Sequence, residues 1–138
     1  MRFWDSSAVV PLLLEQPLST RARALLEEDA DVVAWWGTPV ECASAVARLR
    51  GKGHLGASEQ ATALRILERL RRSWYEVLPG DQVRAQALRI LRLHPLRSAD
   101  ALQLGAALEW SGTPASGTLV TFDERLATSA ELEGFRIA

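Results

Sequence analysis

Four acidic residues stand where this chain passes from an apolar segment into a polar, helix-forming one. Asp5 follows Arg2-Phe3-Trp4, and Asp123 follows the apolar segment that ends at Phe122. Glu41 and Asp100 lie in the first turns of two predicted helices. In parallel α/β sheets, ligands bind beyond the carboxyl ends of the strands, where loops lead into helices. We therefore expect the four carboxylates to meet at one edge of a sheet.

Such a cluster of carboxylates requires a counter-ion. Two carboxylates 4 Å apart repel each other by about 4 kcal/mol at an effective dielectric constant near 20. Mg²⁺ is the natural partner, because it accepts one or two carboxylates and keeps waters and substrate phosphate as its other ligands. A metal held in this way lowers the pKa of bound water and offsets negative charge in phosphodiester hydrolysis. The residue types thus point to metal-dependent phosphodiester chemistry.

Three of the acids also have a purely structural interpretation. Thr38-x-x-Glu41 matches a capping box, with Pro39 at the first helical position. Asp100 fits the positive end of a helix dipole behind a Ser98 cap, and Asp123 fits an N-cap. Asp5 is harder to explain in this way, because it follows a buried strand and an unpaired buried carboxylate is costly.

Short apolar segments alternate with longer helical patterns along the chain, which predicts the elements that position these acids. Helical spacing of apolar residues, with proline and glycine at the boundaries, separates the two kinds of segment. The pattern is typical of one α/β domain over 1–138, with a mainly parallel sheet covered on both faces. The predicted strands are 1–5, 32–35, 75–78, 118–122 and 135–137, and the predicted helices are 7–15, 18–29, 39–51, 57–73, 81–92, 99–110 and 123–132.

Composition narrows the class of protein further. The formal net charge of −1 argues against binding nucleic acid through bulk positive charge alone. The single cysteine, Cys42, cannot form an internal disulfide, which fits a reducing cytoplasm. The apolar run 8–14 is too short to span a bilayer. We therefore expect a soluble, cytoplasmic protein without a membrane partner.

Four segments together resemble the acidic blocks of PIN-domain ribonucleases, and in particular the VapC toxins of bacterial and archaeal toxin–antitoxin pairs. They are FWDSSAVV, TPVECASAVARL, LRSADALQLGAAL and LVTFDERLATSAEL. The resemblance implies a PIN-like three-layer α/β/α sandwich with a five-stranded, mainly parallel sheet of order 3-2-1-4-5. It also implies Mg²⁺- or Mn²⁺-dependent endoribonuclease activity, homodimerisation and neutralisation by a cognate antitoxin in a type II pair.

The resemblance also assigns roles to individual residues. All four acids would belong to the catalytic site, with Asp5 and Asp100 as the principal metal ligands. Asp123 would be a further ligand, and Glu41 would complete the acidic site.

Other polar residues around the acids have less certain roles. By the same resemblance, Ser6 and Thr121 would orient the carboxylates or a bound water. Arg97, three residues before Asp100, is a candidate for binding a substrate phosphate. The cations near the end of the third helix, which include Arg48 and Arg50, fit the helix dipole and solubility better than a contact with RNA or antitoxin. His94 has no acidic partner at an obvious spacing.

Two other classes of function remain to be weighed against a nuclease. One is a catalytically silent PIN-like module that binds a protein or RNA. The other is a phosphorelay receiver or a phosphatase, which also places acids at strand ends. Lys52, the single lysine, is misplaced for a receiver, and Ser7 stands where a dehalogenase-like phosphatase would have a second Asp. The nuclease is therefore the preferred hypothesis.

Overall fold

The computed structural model describes all residues, 1–138, and contains five strands and seven helices. Their order along the chain alternates strands with one or two helices, as the apolar pattern predicts. The elements are β1 (Arg2–Trp4), α1 (Ser6–Leu13), α2 (Ser19–Glu28), β2 (Val32–Trp35), α3 (Thr38–Gly51), α4 (Ala57–Arg71), β3 (Tyr75–Val77), α5 (Asp81–Leu93), α6 (Ser98–Ser111), β4 (Thr118–Val120), α7 (Glu124–Leu132) and β5 (Arg136–Ile137).

The five strands form one parallel sheet of order β3-β2-β1-β4-β5, which confirms the predicted topology. β1 lies at the centre, and Phe3 pairs with Val33 of β2 on one side and with Leu119 of β4 on the other. The carboxyl ends of β1 and β4 are therefore neighbours. The loops that carry Asp5 and Asp123 start side by side.

Alternate residues of β1 face two separate cores. Successive side chains of a strand point to opposite faces of its sheet, and Phe3 and Trp4 are both fully buried. Phe3 packs with residues of α5, α6 and α7, whereas Trp4 packs with residues of α1 to α4. Helices thus cover both faces, and the fold is the predicted three-layer α/β/α sandwich.

Helix α6, which carries Asp100 and Gln103, packs unusually close to α5. A Cβ atom at Gly105 would lie 2.9 Å from the Val83 carbonyl oxygen and 3.1 Å from the Ala87 nitrogen. A glycine is therefore required at this position for the two helix backbones to approach. Its effect is to fix the helix that presents part of the acidic edge.

Most element boundaries differ from those predicted by one or two residues, and two of these differences affect the site. Helix α1 begins at Ser6, immediately after Asp5, and β4 ends at Val120 instead of at residue 122. Thr121 and Phe122 therefore form a short connection in which the Thr121 side chain can face β1. None of the helices is both long enough and apolar enough to cross a membrane.

Candidate active site

Asp5 lies at the point where the central strand passes into α1. Its backbone N–H donates to the Val120 carbonyl oxygen at 3.1 Å, which ties it to the end of β4. The side chain is the N-cap of α1 and accepts from the Ser7 backbone N–H at 3.2 Å. The residue is 2% exposed, and burial is the main cause of the raised pKa of its carboxyl group.

Neutral donors hold one carboxylate oxygen of Asp5 and leave the other nearly free. Oδ2 accepts from the Ser7 N–H, from the Ser7 hydroxyl and, at 2.8 Å, from the Thr121 hydroxyl. The Ser6 hydroxyl lies 3.3 Å from Oδ1 but 2.7 Å from Oε2 of Glu41. A hydroxyl has one proton to donate, so Ser6 donates to Glu41. Oδ1 of Asp5 is consequently left without a strong donor.

Glu41, in the first turn of α3, is held in a similar way. Its Oε2 atom accepts from Ser6 and, at 2.9 Å, from the Gln103 amide, which also donates to the buried Thr38 hydroxyl at 3.0 Å. Burial is the largest cause of the raised pKa of Glu41. The Gln103 and Ser6 hydrogen bonds lower this pKa in part, and the charges of Asp5 and Asp100 raise it further.

Asp100 lies in the first turn of α6, and Asp123 follows β4. The pKa of Asp100 is raised first by burial and then by the charges of Asp123 and Asp5, against the opposing effect of Arg97 and Arg125. Asp123 caps α7 by accepting from the Leu126 N–H at 2.9 Å, and its own N–H donates to Thr121 at 3.1 Å. The Thr121 hydroxyl thus joins the Asp123 turn to Asp5.

All four predicted acids line one cleft at the carboxyl edge of the sheet, with a volume of about 490 Å³. None of them forms a salt bridge. Their hydrogen-bond donors are hydroxyl, amide and backbone groups, which fix the oxygen positions without cancelling the charge. The lining residues are Asp5, Ser6, Ser7, Val10, Val40, Glu41, Ser44, Ala45, Arg48, Ala99, Asp100 and Asp123.

The donor set of the cleft fits a hard divalent cation that keeps part of its water shell. No three Asp, Glu, His or Cys side chains converge closely enough to hold an ion by themselves. Mg²⁺ does not need such a cage, because it usually takes one or two carboxylates together with waters. Oδ1 of buried Asp5 has no strong donor, and neither Asp5 nor Asp100 forms a salt bridge, although the charges of Arg97 and Arg125 act weakly on Asp100.

The structural interpretations of the acids have mixed outcomes. The Thr38–Glu41 capping box does not form, because Gly37 is the N-cap of α3. No side chain makes a capping hydrogen bond at this end of the helix. Ser98 is likewise not a cap, since α6 begins at Ser98 and Arg97 precedes it. Asp123 does cap α7, so for this residue the structural role coexists with a place in the cleft.

Ser6 and Thr121, the predicted supporting residues, both contact the acids, but sequence reasoning missed two further residues. Ser7 donates to Asp5 and also accepts from the Phe122 N–H at 2.9 Å. Gln103 holds Glu41, and its spacing of three residues from Asp100 on one helix could have indicated it. Arg97 is exposed and lies outside the cleft lining, although its charge acts on Asp100.

His94 has an acidic partner that no short sequence spacing could have indicated. Its Nε2 atom lies 2.7 Å from Oε1 of Glu133, which is 39 residues away in the sequence.

Cys42 is fully buried, which is common for a small apolar group, and its thiol pKa is raised chiefly by that burial.

The fold and the cleft define an α/β protein with carboxylates gathered at the switch point of a parallel sheet. The chain belongs to the PIN domain family, whose model matches residues 2–132. PIN-domain proteins are generally nucleases. No curated protein sequence matches this chain.

Three solved structures share the fold at low sequence identity. FitAcB from Neisseria gonorrhoeae matches with a TM-score of 0.69 and 20% identity, covering 99% of this chain and 96% of its own. PAE2754 from Pyrobaculum aerophilum matches with a TM-score of 0.67 and 20% identity, covering 99% and 87%. VapC20 from Mycobacterium tuberculosis, a sarcin–ricin loop cleaving toxin, matches with a TM-score of 0.71 and 18% identity, covering 98% and 96%.

Proposed function

We propose that this protein is a Mg²⁺- or Mn²⁺-dependent endoribonuclease and the toxin of a type II, VapBC-like toxin–antitoxin pair. One observation carries the proposal. Four carboxylates from four different strand–helix or loop–helix junctions line a single cleft, and none of them is paired with a cation. A stable fold gains nothing from uncompensated carboxylates at this density. Such a site is consistent with a function that supplies the counter-charge from outside.

The metal would be held by Asp5 and Asp100, with Asp123 as a further ligand and Glu41 completing the acidic site. Bound there, it would supply a water of lowered pKa and positive charge against the phosphate oxygens. The chain's own contribution is preorganisation. Ser7 and Thr121 lock one oxygen of Asp5 so that the other points away from the donors, and this orientation costs nothing at the moment of reaction.

Glu41 has a second role in the proposed reaction. It is held by Gln103 and Ser6, and its pKa is raised by burial and by its acidic neighbours. A carboxylate with a raised pKa is a better proton acceptor than one at its ordinary pKa. We assign Glu41 to hold the proton released by the attacking water.

The partners follow from the same proposal. VapC20 is described as a toxin that cleaves the sarcin–ricin loop, and a FitAB complex has been solved with a DNA fragment. For this chain we propose an RNA substrate, a cognate protein antitoxin, homodimerisation and a cytoplasmic location. Co-expression of the antitoxin is then expected to relieve growth inhibition caused by this protein.

The decisive experiment is RNA cleavage by purified, metal-stripped protein with Mg²⁺ or Mn²⁺ added back. We expect cleavage only with metal, and a loss of at least about 100-fold in Asp5→Ala and Asp100→Asn, the scale on which a single preorganised charge stabiliser acts. Glu68→Gln is the matched control, since Glu68 is an acid on the exposed face of α4, paired with Arg71.

Two results would contradict the proposal. Cleavage that survives in Asp5→Ala would assign the activity to a contaminant or to another site. Absence of both cleavage and carboxylate-dependent Mn²⁺ binding would favour the catalytically silent PIN-like module.

A further inference from the structure

A single cation lines the acidic cleft, and it comes from the same helix as Glu41. Arg48 is the one arginine or lysine among the twelve lining residues. Helix α3 presents Glu41, Ser44, Ala45 and Arg48 to the cleft, which is the spacing of one helix face. Two helical turns separate Glu41 from Arg48, or roughly 10 Å along the axis.

Arg48 is not used to neutralise the carboxylates. It forms no salt bridge, and its one side-chain hydrogen bond runs from Nη1 to the Ser44 hydroxyl at 3.1 Å. The charges that act on Glu41 are those of Asp5 and Asp100, and the cations that act on Asp100 are Arg97 and Arg125. The guanidinium therefore lies in the cleft but beyond the acidic centre, and four of its five N–H donors have no partner in the chain.

A free guanidinium at this position is suited to a phosphate. Arginine presents a planar fork of donors that matches phosphate oxygens. A cleft of about 490 Å³ has the size of a drug-sized ligand site, so it admits a short piece of one RNA strand, not a duplex. Arg48 lies on the same face of α3 as Glu41, so a strand with one phosphate among the carboxylates can reach Arg48 by extending along this face.

We propose that Arg48 binds a backbone phosphate of single-stranded RNA that neighbours the phosphate held at the carboxylates. The proposal rests on the proposed ribonuclease function and adds to it a substrate-binding residue and a direction for the strand. It also reverses the preference drawn from the sequence, which favoured the helix dipole and solubility over a contact with RNA or antitoxin. Arg48 would set the affinity for the strand and leave the chemical step to the acids.

The test measures binding of a short, labelled single-stranded RNA as a function of salt, in an Asp100→Asn background that prevents cleavage. Adding Arg48→Ala is expected to raise Kd about tenfold, as for loss of a charged hydrogen bond. It should also reduce the slope of log Kd against log salt by about 0.7, the change for one phosphate contact on a single strand. When Arg48→Ala is made alone, with Asp100 unchanged, it should raise KM and leave kcat unchanged.

Two control variants separate a phosphate contact from a structural role. Arg48→Lys keeps the charge, so it should keep the salt slope. Arg50→Ala removes an exposed arginine of the same helix that lies outside the cleft and hydrogen-bonds Gln60, so it should change neither Kd nor slope. Thermal unfolding of each variant shows whether its fold is intact.

The outcomes distinguish this inference from the proposed function. If the wild type cleaves RNA but Arg48→Ala leaves Kd and salt slope unchanged, the role of Arg48 is wrong and the nuclease stands. If Arg48→Lys reduces the slope of log Kd against log salt as much as Arg48→Ala does, the charge of Arg48 is not what matters. The proposed phosphate contact is then also wrong. If the wild type neither binds nor cleaves RNA, both proposals fail.

Discussion

Two groups of acids in this protein are held in opposite ways. Glu133, at the end of α7, is paired with cationic and ring nitrogen donors. Arg89 donates to both of its oxygens, at 3.1 and 2.7 Å, and His94 donates at 2.7 Å. The Arg89 hydrogen bonds are the largest cause of the lowered pKa of Glu133. This cluster joins α5 to the end of α7, and the Arg89 guanidinium offsets the charge of the Glu133 carboxylate.

The acids of the cleft have comparable hydrogen bonding but no charge balance. Asp5 and Glu41 accept from hydroxyl, amide and backbone donors, and burial still raises the pKa of each carboxyl group. A neutral donor fixes the position of a carboxylate, whereas a cation also offsets its charge. The contrast indicates that the Glu133 cluster stabilises the fold, and it is consistent with the proposed function, in which the cleft carboxylates bind an external cation.

Addition of metal is the strongest way to test this contrast. Mn²⁺ at 100 times its Kd is expected to raise the free energy of unfolding of the wild type by about 2.7 kcal/mol, because it binds the folded state alone. Asp5→Asn should lose this gain, since its amide cannot supply the charge. The measurement is urea denaturation with and without Mn²⁺.

The control for that prediction is Glu133→Gln, which changes an acid outside the cleft. It should keep the full stabilisation by Mn²⁺. Equal stabilisation of the wild type and Asp5→Asn by Mn²⁺ would show that the metal binds elsewhere. The cleft acids could then not be distinguished from the Glu133 cluster as a metal site.

In metal-free buffer at neutral pH, the same two substitutions should change stability in opposite directions. Glu133→Gln leaves Arg89 and His94 without their charged partner. We expect it to lower the free energy of unfolding by about 1–3 kcal/mol, a value between those typical of exposed and of buried ion pairs. Asp5→Asn removes a buried charge but keeps an oxygen for the donors. It should raise stability by about 0.5–2 kcal/mol, as is common for substitutions at strained functional sites.

Urea denaturation of both variants measures these changes, with Glu68→Gln as a control that should leave stability nearly unchanged. A loss of stability in Asp5→Asn as large as that in Glu133→Gln would mean that Asp5 is a structural residue. The functional interpretation of the cleft would then need another observation.

The sequence predicted the acids of the cleft better than the residues that hold them. Asp5 and Asp123 could be identified because each follows an apolar strand, and parallel strands end at one edge. The order of the strands came from the resemblance to PIN domains, since local patterns do not determine which strands are neighbours.

The remaining residues could not be predicted because their partners are distant in the chain. Gln103 reaches Glu41 across 62 residues, and His94 reaches Glu133 across 39. The capping box expected at Thr38 does not form, because α3 already begins at Thr38, and the buried Thr38 hydroxyl accepts from Gln103, 65 residues away. Local rules describe one element at a time, and these hydrogen bonds form only when two elements pack.

The dependence of stability on pH gives the smallest effect, at most about 1.4 kcal/mol per pH unit for one group. The pKa of Asp5 is raised above 3.8 in the folded protein, so as the pH falls toward that value the folded state takes up its proton first. The stability advantage of Asp5→Asn over the wild type should therefore shrink between neutral pH and about pH 4. The pKa of Glu133 is lowered below 4.5, so its contribution is present above 4.5 and is lost as the pH falls through its folded value. The advantage of the wild type over Glu133→Gln should thus persist at pH 5 and decline only below it. Urea denaturation in the presence of a chelator at several pH values measures both differences in the free energy of unfolding. If the two differences changed with pH in the same way, the charges of Asp5 and Glu133 would be balanced to the same extent in the folded protein.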